Sequence, residues 1–176
     1  MKRAVFLDRD GVLNRAIVRE GKPYPPANVG ELEILPGVAE ALAALRAAGF
    51  LLIVVTNQPD VARGTTTREA VEAINAALGA ALPIDEFRTC LHDSGAGCDC
   101  RKPKPGALLA AAALHDIDLL QSYMVGDRWR DTEAGKRAGC KTILVDYAYD
   151  EKQPKYVDHR VKSLLEATQF MVRKIA

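Results

Sequence analysis

Short, largely apolar runs alternate along this chain with longer stretches of helical periodicity, and several of these runs end in polar residues able to do chemistry. Ala4–Leu7, Leu51–Val55, Tyr123–Val125 and Thr142–Val145 are bounded by polar or turn residues, the pattern of strands buried on both faces. Between them, Val38–Ala48 carries Val38, Ala41, Leu42 and Leu45 on one helical face, follows Pro36-Gly37 and stops at Gly49. Thr67 is placed to cap a helix running through Val71, Ile74 and Leu78. Further helices are expected at Gly106–His115, Asp131–Ala138 and Ser163–Ile175. Such alternation predicts an α/β fold: right-handed crossovers building a doubly wound, Rossmann-like, mainly parallel sheet with helices on both faces. Ligands of such sheets sit beyond the carboxyl ends of the strands. The residues there are Asp8-Arg9-Asp10-Gly11, Thr56-Asn57-Gln58 and Gly126-Asp127-Arg128.

At 176 residues the chain has the length of one domain, expected to span residues 1–176 and able to bury roughly 70% of its unfolded surface. Apolar residues make up 48%, charged residues 27%, and the formal charge is +1, which excludes disorder as the main state. That balance gives no electrostatic footprint for nucleic acid or anionic lipid. The run after Met1-Lys2-Arg3 is too short for a signal-peptide core or a membrane span, so the expected compartment is the cytoplasm. Pro23, Pro25 and Pro26 predict a loop over residues 15–35, and residues 59–89 hold about one helix before a further strand.

Asp8 and Asp10 are one residue apart after a buried strand, so both side chains can reach one pocket. Like charges that close need a counter-ion. Mg²⁺ shared with substrate phosphate oxygens would supply it, with Asp127 as a natural further ligand. One Asp could attack phosphorus while another protonates the leaving oxygen and then activates water. The Thr56 hydroxyl, backbone N–H groups and Lys102 suit the charge of a transferring phosphoryl group. A single loop Asp is more often a turn or helix cap; it is their joint placement at strand ends that points to a site.

Cys90, His92, Cys98 and Cys100 lie within eleven residues and offer three thiolates and an imidazole, the ligand set of a closed structural Zn²⁺ site. The alternative is that the thiols are simply buried or free. Cys140 stands apart and reads as a packed thiol. His115 and His159 have no partner motif and read as surface or helix-end residues. Trp129 reads as packing on a neighbouring loop.

Phe6-Leu7-Asp8-Arg9-Asp10-Gly11-Val12-Leu13-Asn14 resembles the first motif of the haloacid dehalogenase (HAD) superfamily of phosphatases. Val54-Val55-Thr56-Asn57-Gln58, Arg101-Lys102-Pro103-Lys104-Pro105-Gly106 and Met124-Val125-Gly126-Asp127 resemble its second, third and fourth motifs, in order. Within the superfamily the likeness is to the D-glycero-D-manno-heptose 1,7-bisphosphate phosphatases and the histidinol-phosphate phosphatases. The resemblance implies a Mg²⁺-dependent phosphomonoester hydrolase with an aspartyl-phosphate on Asp8 and Asp10 as general acid/base. Thr56 and Lys102 would stabilise the phosphoryl group, and Mg²⁺ would be held by Asp8, the Asp10 carbonyl and Asp127. Asn57 and Gln58 would line the substrate site, Arg101 and Arg128 would contact the part not transferred, and Asp131 would orient a metal-bound water. It also implies Zn²⁺ at a loop over about residues 90–100, and a capless fold, because neither gap between motifs admits a cap domain.

Guanidinium forks suit a second anionic group, so the expected partner is a small phosphorylated metabolite, a sugar bisphosphate, met by a monomer without nucleic acid or membrane. Histidinol phosphate, which presents a cation instead, is the alternative. A phospho-Asp receiver-like switch would lack the acid/base that Asp10 supplies. A polynucleotide 3′-phosphatase sits poorly with near-zero charge and 6% aromatic residues.

Overall fold

In the computed structural model, which describes residues 1–173, the expected alternation of strand and helix is realised. In chain order the elements are β1 (Arg3–Leu7), β2 (Ile17–Arg19), β3 (Lys22–Tyr24), α1 (Val38–Ala47), β4 (Phe50–Asn57), α2 (Arg68–Ala81), β5 (Glu86–Cys90), α3 (Gly106–His115), β6 (Tyr123–Gly126), α4 (Trp129–Ala138), β7 (Lys141–Val145), β8 (His159–Val161) and α5 (Leu164–Arg173). Six strands form one sheet in the order β5-β4-β1-β6-β7-β8, with every neighbouring pair parallel. The chain starts in the middle, runs outward to β5, then returns to β6 and runs outward the other way. That reversal beside β1 leaves a crevice at the strands' carboxyl ends.

Period-two alternation in β1 builds both halves of the core. Val5 and Leu7 pack among α1, α2 and α5 residues such as Leu42, Ile74 and Met171, whereas Ala4 and Phe6 pack with Leu108 and Ala111 of α3 and Ala134 of α4. Burial on both faces explains why these strands read as continuous apolar runs. Thr67 caps α2 as expected, its hydroxyl accepting the Ala70 N–H at 3.2 Å.

Residues 15–35 are not simply a loop. β2 and β3 form an antiparallel hairpin whose two turn residues, Glu20 and Gly21, both have positive φ, the conformation of a tight type I′ connection. Pro23 argues against a strand, yet it sits opposite Val18, one pair beyond the hydrogen-bonded pair that closes the turn, so its missing N–H costs no ladder bond. The strand after residue 59 begins at Glu86, earlier than expected, because its polar, half-buried side chains carry no apolar run. β8 was not marked by the pattern for the same reason of exposure and shortness. α4 starts two residues before Asp131, which accepts the Arg128 N–H from the first turn at 3.0 Å. α5 reaches Arg173; residues 174 and 175 of the expected helix lie outside the described residues. No helix among the described residues is long and apolar enough to cross a membrane.

Gly135 is where α4 lies flat on β6. A Cβ there would approach the Met124 Cβ to 2.5 Å and the Thr142 Cγ2 to 3.0 Å. Alanine ordinarily improves a helix by about 1 kcal/mol over glycine, but overpacking costs roughly 1–3 kcal/mol. Gly135→Ala should therefore lower the denaturation midpoint, which urea unfolding measures; an unchanged or raised midpoint would contradict this packing.

Candidate active site

The carboxyl ends of β1, β4 and β6 bring four ionisable side chains into contact with almost no water. Asp8 is 7% exposed, Asp127 5%, Asp131 2% and Lys102 2%. Asp8 leaves β1 with its N–H on the Val125 carbonyl at 2.9 Å, which directs its side chain over the end of the sheet. The Lys102 ammonium donates to Asp8 Oδ1 at 2.8 Å, Asp131 Oδ1 at 2.7 Å and the Val55 carbonyl at 2.6 Å, using all three of its protons. Asn57 clamps the Lys102 backbone from both sides, accepting its N–H at 3.1 Å and donating to its carbonyl at 3.0 Å.

One ammonium does not balance this set. Burial, followed by the Asp131 charge, raises Asp8 above the usual carboxylate range despite Lys102. Burial raises Asp127 further, with the Asp8 and Asp131 charges adding to it. On Lys102 burial acts downward, but the facing carboxylates of Asp131 and Asp8 outweigh it and hold the ammonium above its ordinary value. Oxygens of Asp8, Asp127 and Asp131 lie within 4.8 Å of one another, and the buried Asp127 Oδ1 has no hydrogen-bond partner. A missing positive charge and an orphaned acceptor are what a hard divalent cation would satisfy. Asp131, expected only as a positioner of water, belongs to this cluster; Asp10's side chain does not.

The Asp10 carboxylate sits in a separate cage of donors. Arg9 reaches it at 3.2–3.3 Å, Asn14 Nδ2 donates to Oδ1 at 3.0 Å, and Gln58 Nε2 donates to Oδ2 at 2.8 Å and to Thr56 Oγ1 at 2.9 Å. Arg9 is fully buried, and its other arm donates to Asn75 Oδ1 on α2 at 3.0 Å, whose amide donates in turn to Thr89 Oγ1 on β5 at 3.0 Å. Arg9 was passed over in the sequence, although its place between the two aspartates was a signal. Tyr147 and Tyr149 were also missed. Their rings stack at 5.4 Å; Tyr147 donates to the Gly11 carbonyl at 2.9 Å and Tyr149 to Asp127 Oδ2 at 2.9 Å. Gly11, at φ +85°, has no room for a side chain: a Cβ would stand 2.1 Å from Asp127 Oδ2.

Asp8, Asp10, Asn57, Gln58, Lys102, Asp127 and Asp131 line one cleft of about 300 Å³. The hairpin residues Lys22–Tyr24 form one wall, and Arg101, Arg128 and Arg130 lie around the rest of the opening. Thr56 lies beneath, tied to the cleft through Gln58. Arg128 is already engaged by the Glu151 carboxylate, through Nε at 2.9 and 3.1 Å and through a further contact from its terminal nitrogen. Arg101 donates to the His92 carbonyl at 3.2 Å.

That carbonyl belongs to the second cluster. Cys90, His92, Cys98 and Cys100 present their ligand atoms within 4.8 Å of one another, with S···S separations of 3.0 and 3.8 Å and Cys–His separations of 3.3 and 3.6 Å. A tetrahedron of Zn–S bonds has edges of about 3.8 Å, so the set fits a four-coordinate ion. Burial pushes the Cys100 thiol up to about 12 and also raises Cys90. On Cys98 the upward push of burial is overcome, chiefly by the Arg101 N–H aimed at its sulfur. Cys140 is the packed thiol expected, pushed up to about 12 by burial. His115 ends α3 as expected and meets Glu86 Oε2 at 2.6 Å. His159 is neither free surface nor helix end: it lies in β8, stacked on Phe170 at 4.0 Å. Trp129 opens α4, with Lys152 of the loop beyond β7 4.0 Å from its ring centre.

The chain is similar in sequence and in fold to known phosphatases. The HAD-hydrolase-like family model matches residues 99–167. The D-glycero-β-D-manno-heptose-1,7-bisphosphate 7-phosphatase of Pasteurella multocida is 40% identical over 157 residues, covering 82% of each chain. The enzyme of the same name from Escherichia coli K12 is 36% identical over 154 residues, covering 81% of this chain and 78% of its own. The crystal structure of D,D-heptose 1,7-bisphosphate phosphatase from B. bronchiseptica with magnesium and phosphate superposes with a TM-score of 0.83 at 29% identity, covering 98% of this chain and 99% of that one.

The electrostatics of the cluster have a sign that can be checked. A carboxyl whose pKa is raised by folding lends stability at low pH that is lost as pH rises through its folded value, so the metal-free protein weakens as Asp8 and Asp127 ionise. A cation that binds the ionised set acts oppositely. At about a hundredfold excess over its Kd, Mg²⁺ should stabilise by about 2.7 kcal/mol near neutral pH and far less in acid. Thermal unfolding with and without Mg²⁺ across that range measures it. Asp127→Asn should lose most of the increment, and a shift independent of pH and of Asp127 would contradict the site.

Proposed function

The chain belongs to the haloacid dehalogenase-like phosphatases, and we propose that it removes the 7-phosphate of D-glycero-D-manno-heptose 1,7-bisphosphate through a phosphoenzyme on Asp8. The observation that carries this reading is the division of labour between two aspartates one residue apart. Asp8 lies on the Lys102 ammonium at the cleft floor, while Asp10 is held apart by Arg9, Asn14 and Gln58. Two environments for two carboxylates are what a nucleophile and an acid/base require.

With Oδ1 of Asp8 engaged by Lys102, its other carboxylate oxygen forms the bond to phosphorus as the bond to the sugar oxygen breaks. Asp10 gives that oxygen its proton. Water then attacks the phosphorus, Asp10 takes a proton back, and the P–O bond to Asp8 breaks to release inorganic phosphate. Lys102 offsets charge on the phosphoryl oxygens. Thr56, which accepts from Gln58, keeps its own proton to donate there. Mg²⁺ held by Asp8, Asp127 and the Asp10 carbonyl, with Asp131 alongside, would neutralise the carboxylates and polarise the phosphoryl group. Asn57, Gln58, Arg101 and Arg128 would meet the sugar and its remaining phosphate. Cations around the opening favour an anionic distal group over the cationic end of histidinol phosphate.

Zn²⁺ on Cys90, His92, Cys98 and Cys100 leaves no position for water, so its part is structural. It would hold the loop from which Arg101 and Lys102 follow directly.

Asp8→Asn should abolish phosphate release with the fold retained by circular dichroism, and Asp10→Asn should cut turnover at least about a hundredfold. Either variant turning over normally would remove the assigned roles. Zinc removal by chelation should lower thermal stability and raise KM more than it lowers kcat; protein shown to be zinc-free yet unchanged in both would refute the structural zinc.

A further inference from the structure

The cations near the cleft differ in what already satisfies them. Arg63 is paired with Asp93 and Asp60, Lys104 with Asp99 and the carbonyls of Gly97 and Cys98, and Arg137 with Glu133. Arg128, which the sequence offers as a reader of the distal group, is occupied by Glu151 on two of its nitrogens. Among the described residues Arg130 has neither an ion pair nor a hydrogen bond on its guanidinium. Its placement is nonetheless defined. It lies half-buried in the first turn of α4, with its guanidinium carbon 5.3 Å from the Trp129 ring centre. Burial and the charges of Arg128 and Arg101 all disfavour its positive charge, which Glu151 and Asp131 only partly oppose.

Arg130 and Arg101 line the catalytic cleft and also an adjoining groove of about 410 Å³ that runs along the zinc-loop side of the molecule. A ligand with one end on Asp8 would therefore meet both guanidinium groups on the side of the cleft that borders this groove. Lys22, on the hairpin wall, is another cation without an ion pair among the described residues, but it is exposed on a two-stranded ribbon rather than seated on the core. An anion placed beside Arg130 would relieve the crowding of like charge there, with little rearrangement of a side chain already held.

We propose that Arg130 is a specificity-determining residue: with Arg101 it binds the phosphate that is not removed, while Arg128, with two of its nitrogens held by Glu151, is left to meet the sugar. This rests on the sugar-bisphosphate reading and names the residue that enforces it.

The test compares kcat/KM for D-glycero-D-manno-heptose 1,7-bisphosphate and for the corresponding heptose 7-phosphate, which has the same scissile ester and lacks only the second phosphate. The wild-type protein should prefer the bisphosphate. Arg130→Ala and Arg130→Gln should each lower that preference at least about tenfold, through KM for the bisphosphate, and Arg130→Lys should recover part of it. Urea midpoints measured alongside identify a variant that fails to fold, and the Gln and Lys variants, which keep an unbranched methylene stem and a polar end, then carry the comparison. A preference retained in the Ala and Gln variants would overturn the role of Arg130 and leave the bisphosphate reading intact, as would an equal loss on both substrates. A wild-type protein with no preference would overturn that reading, and the role with it.

Discussion

Carboxylates crowded around one buried ammonium are the constraint on which the rest of this molecule depends. Asp8, Asp127 and Asp131 come from the ends of β1 and β6 and the first turn of α4, and Lys102 from the loop ahead of α3. Separating any of these charges from water is unfavourable alone, and here the cost is offset by pairing Lys102 with Asp8 and Asp131. The parallel pairing of β1 with β4 and β6 therefore does more than bury apolar side chains. It sets the separations at which an ammonium and a divalent cation can balance three acids. Gly11 belongs to the same constraint, since the chain passes so near Asp127 that only a hydrogen fits.

The two neighbouring aspartates stand in unlike surroundings. Asp8 faces the Lys102 ammonium and buried acids; Asp10 faces neutral amides and the Arg9 guanidinium. The difference arises from one step along the backbone, where β1 ends and the chain turns, so that alternate side chains enter different surroundings. Around this floor the walls are independent pieces: the hairpin on one side and the cysteine-rich loop on the other. Neither is a cap domain, so the cleft is bordered directly by their side chains.

Much of this was legible in the residues. Strands buried on both faces write themselves as apolar runs, and the polar clusters closing β1, β4 and β6 stood out because nothing else there could be chemistry. What escaped notice did so for physical reasons. β5 and β8 lie at the sheet's edges, where half-exposed side chains erase the apolar signal. Pro23 argued against a strand, and only the pairing geometry shows why it is harmless at that position. Arg9, Tyr147 and Tyr149 act through contacts made across the fold, and their types say little until those contacts are seen. Arg128 shows what a motif leaves out: it lines the cleft as its place beside Asp127 suggests, but the partner that engages two of its nitrogens, Glu151, is distant in sequence.

The relay from Arg9 through Asn75 to Thr89 places an unusual demand on an edge of the sheet. Outer strands ordinarily tolerate sliding, since little packs against them. Here a slip of β5 by one residue would turn Thr89 to the other face. Asn75 would lose its acceptor, and Cys90, the next residue, would leave the sulfur cluster. A single register at the periphery thus sets both the footing of Arg9, which holds the Asp10 carboxylate, and the place of Cys90 in the sulfur cluster, so anyone transplanting either feature into another scaffold would have to carry β5 along with it.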